Sequence, residues 1–333
     1  MEERKGSLEK VAGSEMKKIS ILIPCYNEVE NAEPMADALR KLFKEELSGY
    51  DYEIVFIDNC STDGTREAIE RLCSEDKKIK AIFNAANFGQ FNSPFYGMCQ
   101  CDGDCVIPVC CDFQDPLEML PVFVKEWEKG HRIVSAIKST SKENGFIYFL
   151  RTVYYKTIRN MSGVKMIEHF TGFGLYDSSF IRLIRQLDDP IPFLRGIVAE
   201  YGSGFNMVTI EYQQEKRRAG KTHNNFYSLY DAAMLSFTSY TKIGLRLAVF
   251  MGFITAVISF IIAILYLVMK LINWNGFKAG YAPMIIGVFL LGGIQLFFIG
   301  FIGEYILNIN TRVIHRPVVI EEKRINFEEG GKS

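Results

Sequence analysis

The sequence predicts an α/β protein in which a mostly parallel sheet lies between helices, extended by interfacial helices and two C-terminal transmembrane helices. Three observations predict it. β-Branched apolar runs alternate with helical patterns five times between residues 19 and 137, the order that yields parallel strands joined by crossover helices. Two charge-free runs stand near the other end, 23 residues over 247–269 and 25 residues over 279–303. The residues just after the strands are dense in Asp, Asn, Glu and Ser, and open α/β sheets bind ligands beyond the carboxyl ends of their strands.

Each element follows from its own pattern. Residues 19–24 (ISILIP) are a β-branched run closed by proline, the first strand, and a helical pattern covers 30–47. Residues 52–57 (YEIVFI) are the second strand, 65–73 a helix, 79–83 the third strand and 92–101 a helix. Residues 104–109 (DCVIPV) are the fourth strand, 117–129 a helix and 133–137 a fifth strand. Residues 146–161 interleave aromatic and aliphatic residues with Arg151, Lys156 and Arg159, and 226–240 is aromatic with only Asp231 charged, compositions suited to the headgroup interface. As helices, the two charge-free runs each extend about 35 Å, enough for a hydrocarbon core of about 30 Å. The resulting organisation is a polar tail over 1–18, a cytosolic catalytic domain over 19–225 carrying the interfacial helix 146–161, an interfacial amphipathic helix over 226–244, a transmembrane hairpin over 245–304 and a cytosolic tail over 305–333.

Charge and cysteine usage narrow the class. Lys and Arg number 38 against 39 Asp and Glu, so no global basic field points to nucleic acid as a partner. The first 18 residues are polar and lack an apolar stretch resembling a signal peptide, which predicts that the soluble domain stays in the cytosol. All eight cysteines fall in that domain, where thiols remain reduced, and no C-x-x-C pair marks a zinc site. Lys242, Arg246, Arg312, Arg316, Lys323 and Arg324 flank the membrane pair on one side, against Lys270 and Lys278 on the other. That bias predicts a multi-pass protein of the plasma (inner) membrane with both termini cytosolic. Gly287, Gly292, Gly293, Gly300 and Gly303 permit close helix contact, and a homo-oligomer, dimer or tetramer, is expected.

Four strand-end strings, I-P-C-Y-N-E at 23–28, D-N-C-S-T-D-G-T at 58–65, N-F-G at 87–89 and D-F-Q-D-P at 112–116, resemble those of family 2 glycosyltransferases with the GT-A nucleotide-diphospho-sugar fold. The resemblance runs on through T-G-F-G-L-Y-D (171–177), F-L-R-G (193–196) and R-R-A-G-K-T (217–222), then the two apolar spans and R-P-V-V-I (316–320), so it covers nearly the whole chain. The combination is similar to the polyprenyl-phosphate glycosyltransferases. It implies an inverting transfer from a nucleotide diphosphate sugar, a UDP-sugar, to polyprenyl (undecaprenyl) phosphate at the cytosolic membrane face, with Mg²⁺ or Mn²⁺ as cofactor.

Carried onto this sequence, the resemblance assigns the donor nucleotide to Pro24, Tyr26, Asn27, Glu28, Asp58, Asn59, Asp63, Asn87, Gly89 and Gln90. It assigns catalysis to Asp112, Gln114 and Asp115, and the metal to Asp112 and Gln114, with Cys110 a doubtful third ligand. The acceptor phosphate falls to Lys138, Arg151 and Arg217, with Arg218 and Lys221 as neighbours. The chemistry agrees. Asp58 and Glu28 can accept hydrogen bonds from base and ribose, and Asp112 with Gln114 presents two oxygen ligands on one face of an extended segment. For Asp58 and Asp63 an Asx-type turn closed by Gly64 is the alternative.

Three positions depart from the family pattern: Cys110 replaces the first acid of Asp-x-Asp, Asn59 replaces the acid that usually follows Asp58, and Ala86 replaces an Arg before N-F-G. They motivate a rival reading, a catalytically impaired nucleotide-sugar-binding scaffold; transfer to another acceptor is a further alternative. A processive polysaccharide synthase would carry Q-x-x-R-W, and neither Trp127 nor Trp274 lies in that context. A transporter is disfavoured by two spans without internal charges.

Overall fold

The computed structural model describes residues 16–138, 167–187, 189–219, 234–235, 238, 243–272, 281–314 and 316–328. The chain divides into two compact units, one built from 1–145, 166–223 and 316–333 and the other from 146–165 and 224–315.

The first unit is an eight-stranded mixed sheet between two helical layers. Its first half follows the predicted alternation: β1 (Lys18–Cys25), α1 (Val29–Glu45), β2 (Asp51–Asp58), α2 (Thr65–Glu75), β3 (Ile79–Asn84), α3 (Gly89–Gln100), β4 (Cys105–Pro108), α4 (Met119–Glu128) and β5 (Ile133–Lys138). Then come β6 (Phe170–Asp177), α5 (Ser178–Gln186), α6 (Leu194–Tyr201), β7 (Met207–Tyr212) and, far along the chain, β8 (Glu321–Ile325). Spatial order is β7-β5-β6-β4-β1-β2-β3-β8. β1 pairs parallel with β2 and β4, β2 with β3, and β5 with β7. β6 and β8 run antiparallel to their neighbours.

Alternation along the strands feeds two cores. In β1, Ile19, Ile21 and Ile23 enter the core that Met35, Leu39 and Phe43 of α1, Ile69 of α2 and Phe123 of α4 complete. Leu22 faces the opposite layer with Phe95 of α3, Phe180 and Ile184 of α5 and Ile197 of α6. This both-faces burial is why the strands read as continuous apolar runs. β6 needs glycine to pair closely with β5: Gly174 has φ 157°, and a Cβ there would run into Val134 O.

The segment expected as a cytosolic C-terminal tail over 305–333 supplies β8, which pairs with β3 from Ala81 to Asn84. Its anchors are specific: Arg66 Nη2 lies 2.7 Å from Glu322 Oε2, Lys323 Nζ lies 3.0 Å from Glu70 Oε1, and Asn326 donates to Cys73 O and Ile79 O at 2.7 and 2.8 Å. Four consecutive charged residues, Glu321 to Arg324, hid the strand, because on an antiparallel edge only part of its surface is buried.

In the second unit, α7 (Ile243–Ile272) and α8 (Tyr281–Val313) are helices of 30 and 33 residues. α8 continues beyond the expected end at 304. Among the described residues, one helical stretch, Leu290–Val313, is long and apolar enough to cross a membrane; the described apolar stretch of α7, Val249–Ile262, is shorter. The interfacial helix expected over 146–161 and nearly all of the one expected over 226–244 lie outside the described residues.

Candidate active site

The carboxyl ends of β1, β2, β3 and β4 lie side by side, so their four loops form one rim. Asn27 starts it in the left-handed backbone region at φ 56°, which Asn tolerates. Its N–H donates to Ser61 Oγ at 2.8 Å, and its Oδ1 accepts from Thr62 N–H at 2.9 Å. The Glu28 N–H donates to Thr65 Oγ1 at 2.9 Å and the Val29 N–H to Asp63 Oδ2 at 3.2 Å. The loop after β1 is thereby laid on the loop after β2. Between them Asn27, Glu28, Val29, Glu30, Asn31 and Asp63 line a polar cavity of about 170 Å³.

Asp58 is fully buried and accepts from the Ser61 N–H at 3.1 Å, with Arg66 Nε at 3.2 Å. Burial raises its pKa despite those partners. Asp63 Oδ1 accepts from the Thr65 N–H at 3.0 Å, the turn-closing alternative that its sequence context allowed. Asp63 also lines the cavity; Asp58 braces the loop from beneath.

Asn59 is a hub. Its amide donates to Asn87 Oδ1 at 2.9 Å and Gly89 O at 3.3 Å, while its Oδ1 accepts from Asn84 Nδ2 at 3.1 Å and the Phe88 N–H at 2.9 Å. A carboxylate has no protons to donate and cannot make the first two bonds. Asn59, Asn87 and Gly89 are therefore joined in bracing the loop after β3, with Gln90 exposed in the first turn of α3 and Pro24 half-buried at the end of β1.

The fourth loop carries the acids expected to be catalytic. Asp112 is 7% exposed; its Oδ1 accepts from the Gln114 N–H at 3.1 Å. Phe113 between them has φ 60°, a strained value for an aromatic residue. Asp115 is buried, accepts from the Cys110 N–H at 3.0 Å and from Tyr212 Oη at 3.4 Å, and has its pKa raised by burial. Cys110, an exposed residue, also brings its thiol into hydrogen-bonding reach of the Asp115 carboxylate.

Arg217 brings the first and fourth loops together. Its Nη2 pairs with Glu28 Oε1, and its Nη1 lies 3.3 Å from Asp112 Oδ2. Burial raises the Glu28 pKa, Asn31 and Arg217 oppose the rise, and the Asp112 charge adds to it. Thus a residue expected at the acceptor phosphate contacts two carboxylates expected at donor and metal. Arg218 is exposed, its guanidinium 5.1 Å from the Phe113 ring. Lys138 ends β5, two strands from β4. Arg151 and Lys221 lie outside the described residues.

Two polar residues of this network were not singled out from sequence. Asn31 is 1% exposed, donates to Glu28 Oε2 at 2.6 Å and leaves its Oδ1 without a partner among the described residues. The available signal was its place on the apolar stripe of α1, one turn before Met35. Arg66 directly follows the 58–65 string, and only the fold reveals that it reaches back to Asp58.

A family model described as glycosyl transferase family 2 matches residues 20–184. The SfII prophage-derived bactoprenol glucosyl transferase of Shigella flexneri is 31% identical over 307 residues, covering 92% of this chain and 98% of the relative. The chain belongs to glycosyltransferase family 2. A prophage bactoprenol glucosyl transferase homolog of Escherichia coli (strain K12) is 30% identical over 304 residues, covering 91% and 98%. Among solved structures, mannosyl-3-phosphoglycerate synthase from Rubrobacter xylanophilus aligns with a TM-score of 0.47 at 17% identity, covering 66% of this chain and 71% of that one. The protein is a family 2 glycosyltransferase with an α/β fold built on a mixed sheet.

Within this glycosyltransferase the donor set at the rim is oxygen-rich. Glu28 and Asp112 are each 10% exposed at the side chain and already share one cation, Arg217. Among the described residues no three His, Cys, Asp or Glu side chains form a ready cage. Hard carboxylate and amide oxygens of this kind fit Mg²⁺ or Mn²⁺, which is commonly held by one or two carboxylates with substrate phosphate and water completing the shell.

Proposed function

We propose that the enzyme transfers a sugar, with inversion, from a nucleoside diphosphate sugar, a UDP-sugar, to undecaprenyl or a similar polyprenyl phosphate at the cytosolic face of the plasma (inner) membrane. The observation that supports it is Arg217: a cation from the R-R-A-G-K-T segment stands against the acids at the ends of β1 and β4, where this reading puts the donor and the metal. The names of the bactoprenol relatives support the lipid phosphate acceptor.

The acceptor oxygen is anionic at neutral pH and needs no strong general base. The protein's task is to hold that phosphate in line with the anomeric carbon, opposite the departing diphosphate, which inverts the centre. Asp112 and Gln114 would hold the divalent cation, which would supply positive charge to the leaving nucleoside diphosphate. Asn27, Glu28 and Asp63 offer acceptors to base and ribose, on a rim braced by Asp58, Asn59, Asn87 and Asp115. Lys138, Arg217 and Arg218, with Arg151 and Lys221, serve the lipid phosphate.

The membrane reading rests on α7 and α8 as a two-span hairpin. Phe253 and Phe260 of α7 and Leu296 and Phe297 of α8 are each about two-thirds exposed or more. An apolar surface of that extent calls for lipid or another helix, and a homo-oligomer through the glycine-rich faces is part of the proposal. The decisive experiment incubates membranes containing the enzyme with a panel of radiolabelled nucleotide sugars and undecaprenyl phosphate. The expected result is lipid-extractable label from one donor. Donor binding without transfer across the panel would favour the impaired scaffold.

A further inference from the structure

Arg217 makes more contacts than acceptor binding requires. Besides pairing with Glu28 and Asp112, its Nε donates to Ala219 O at 2.8 Å, which fixes the guanidinium plane. The surrounding segment is docked by its backbone: the Arg218 N–H donates to Asp112 O and the Glu215 N–H to Gln114 O, both at 3.1 Å. Asn31 Nδ2 reaches Ala219 O at 3.4 Å. Residues 215–219 therefore lie over the 112–114 segment.

Arg217 holds one oxygen of each carboxylate. Asp112 Oδ1 is engaged by the Gln114 N–H and Glu28 Oε2 by Asn31; Oδ2 and Oε1 face the guanidinium. A guanidinium and a divalent ion cannot share those oxygens at close range, because like charges repel at low effective dielectric.

We propose that in the substrate-free enzyme Arg217, tethered by Glu28, occupies the Asp112 carboxylate that would otherwise help hold the divalent cation. Loading of the cation with the nucleoside diphosphate displaces it and frees the 215–219 segment to face the acceptor phosphate. This rests on the reading of 217–222 as the acceptor loop. One residue then couples the two substrates: the donor enters first, and the cation meant for the acceptor becomes available only afterwards.

The test measures Mn²⁺ binding to the full-length, substrate-free protein by electron paramagnetic resonance, with no donor sugar or lipid present. Arg217→Ala is expected to bind Mn²⁺ about tenfold more tightly than the parent, the scale of removing one competing, partly screened ion pair. Arg217→Lys should fall between the two. Arg218→Ala removes an equal charge one residue away and should change the affinity less than about twofold, which distinguishes local competition from a general field effect. Equal affinity in the parent and Arg217→Ala, an equal gain in Arg218→Ala, or no Mn²⁺ binding in any form would overturn the proposal. A second measurement needs no variant: hydrogen exchange at the Glu215 and Arg218 amides should accelerate when Mn²⁺ and UDP are added together, and unchanged protection would also overturn it. Neither readout involves sugar transfer, so failure here is separable from failure of the proposed reaction.

Discussion

At the amino ends of β1, β2 and β3, Glu53 is buried against Lys18 Nζ at 2.6 Å, Lys80 Nζ at 2.7 Å, Ser20 Oγ at 2.6 Å and the Asp102 N–H at 2.9 Å. Burial alone would raise its pKa, but Lys18, Lys80 and Ser20 outweigh burial and hold it at about 2. At the carboxyl ends of the same sheet, burial wins: Glu28, Asp58 and Asp115 all have raised pKa values. One end neutralises its carboxylate completely and is a structural clasp. The other leaves Glu28, Asp58 and Asp115 undercompensated, the condition in which an added cation gains most.

The sharpest way to break that contrast is Asp112→Ala. Turnover should fall about a thousandfold, on the scale of losing a main source of charge stabilisation, while thermal unfolding stays within a few degrees of the parent. Retained turnover in this variant, followed as nucleoside diphosphate release, would remove Asp112 from the chemistry. Glu53→Gln should do the reverse. It strands Lys18 and Lys80 and should cost about 3 kcal/mol, about 10 °C in melting temperature, with the folded fraction still active.

Acid titration separates the two ends without mutation. Glu53 has a folded pKa below its ordinary value of 4.5, so its contribution is complete above that value and is lost as pH falls from 4.5 through about 2. Glu28 has a raised pKa and takes up its proton at higher pH. UDP binding should therefore fade before circular dichroism shows unfolding, and simultaneous loss of both would contradict the assignment. The smallest effect is expected from Asn59→Asp, which restores the acid common in the family yet removes two donors. Donor KM should rise about tenfold, the scale of unpaired buried acceptors. A fall in KM would show that position 59 meets the nucleotide and not the loop.

The first five strands and four helices were legible because each is an apolar run or stripe bounded by a turn signal. The four polar strings were legible as a site for a related reason: the topology puts every parallel strand's end on one edge. Roles within the site were less so. Asp58 and Asp115 carry the right chemistry, but their burial depends on partners as distant in sequence as Tyr212. Arg217 illustrates the limit most clearly, since contact with Glu28 spans 189 positions and no local pattern encodes it.

β8 also bears on how the molecule is made. Its partner β3 ends at Asn84, and roughly 240 residues, including both long helices, must be synthesised before Glu321 appears. At about 5–20 residues per second the edge of β3 waits on the order of 10 to 50 s for its cover. An uncovered strand edge is a template for wrong pairing. The ribosome therefore finishes the hydrophobic helices before the catalytic sheet is sealed, and the exposed β3 edge is the point at which a chaperone or a misfolding neighbour would engage the nascent chain.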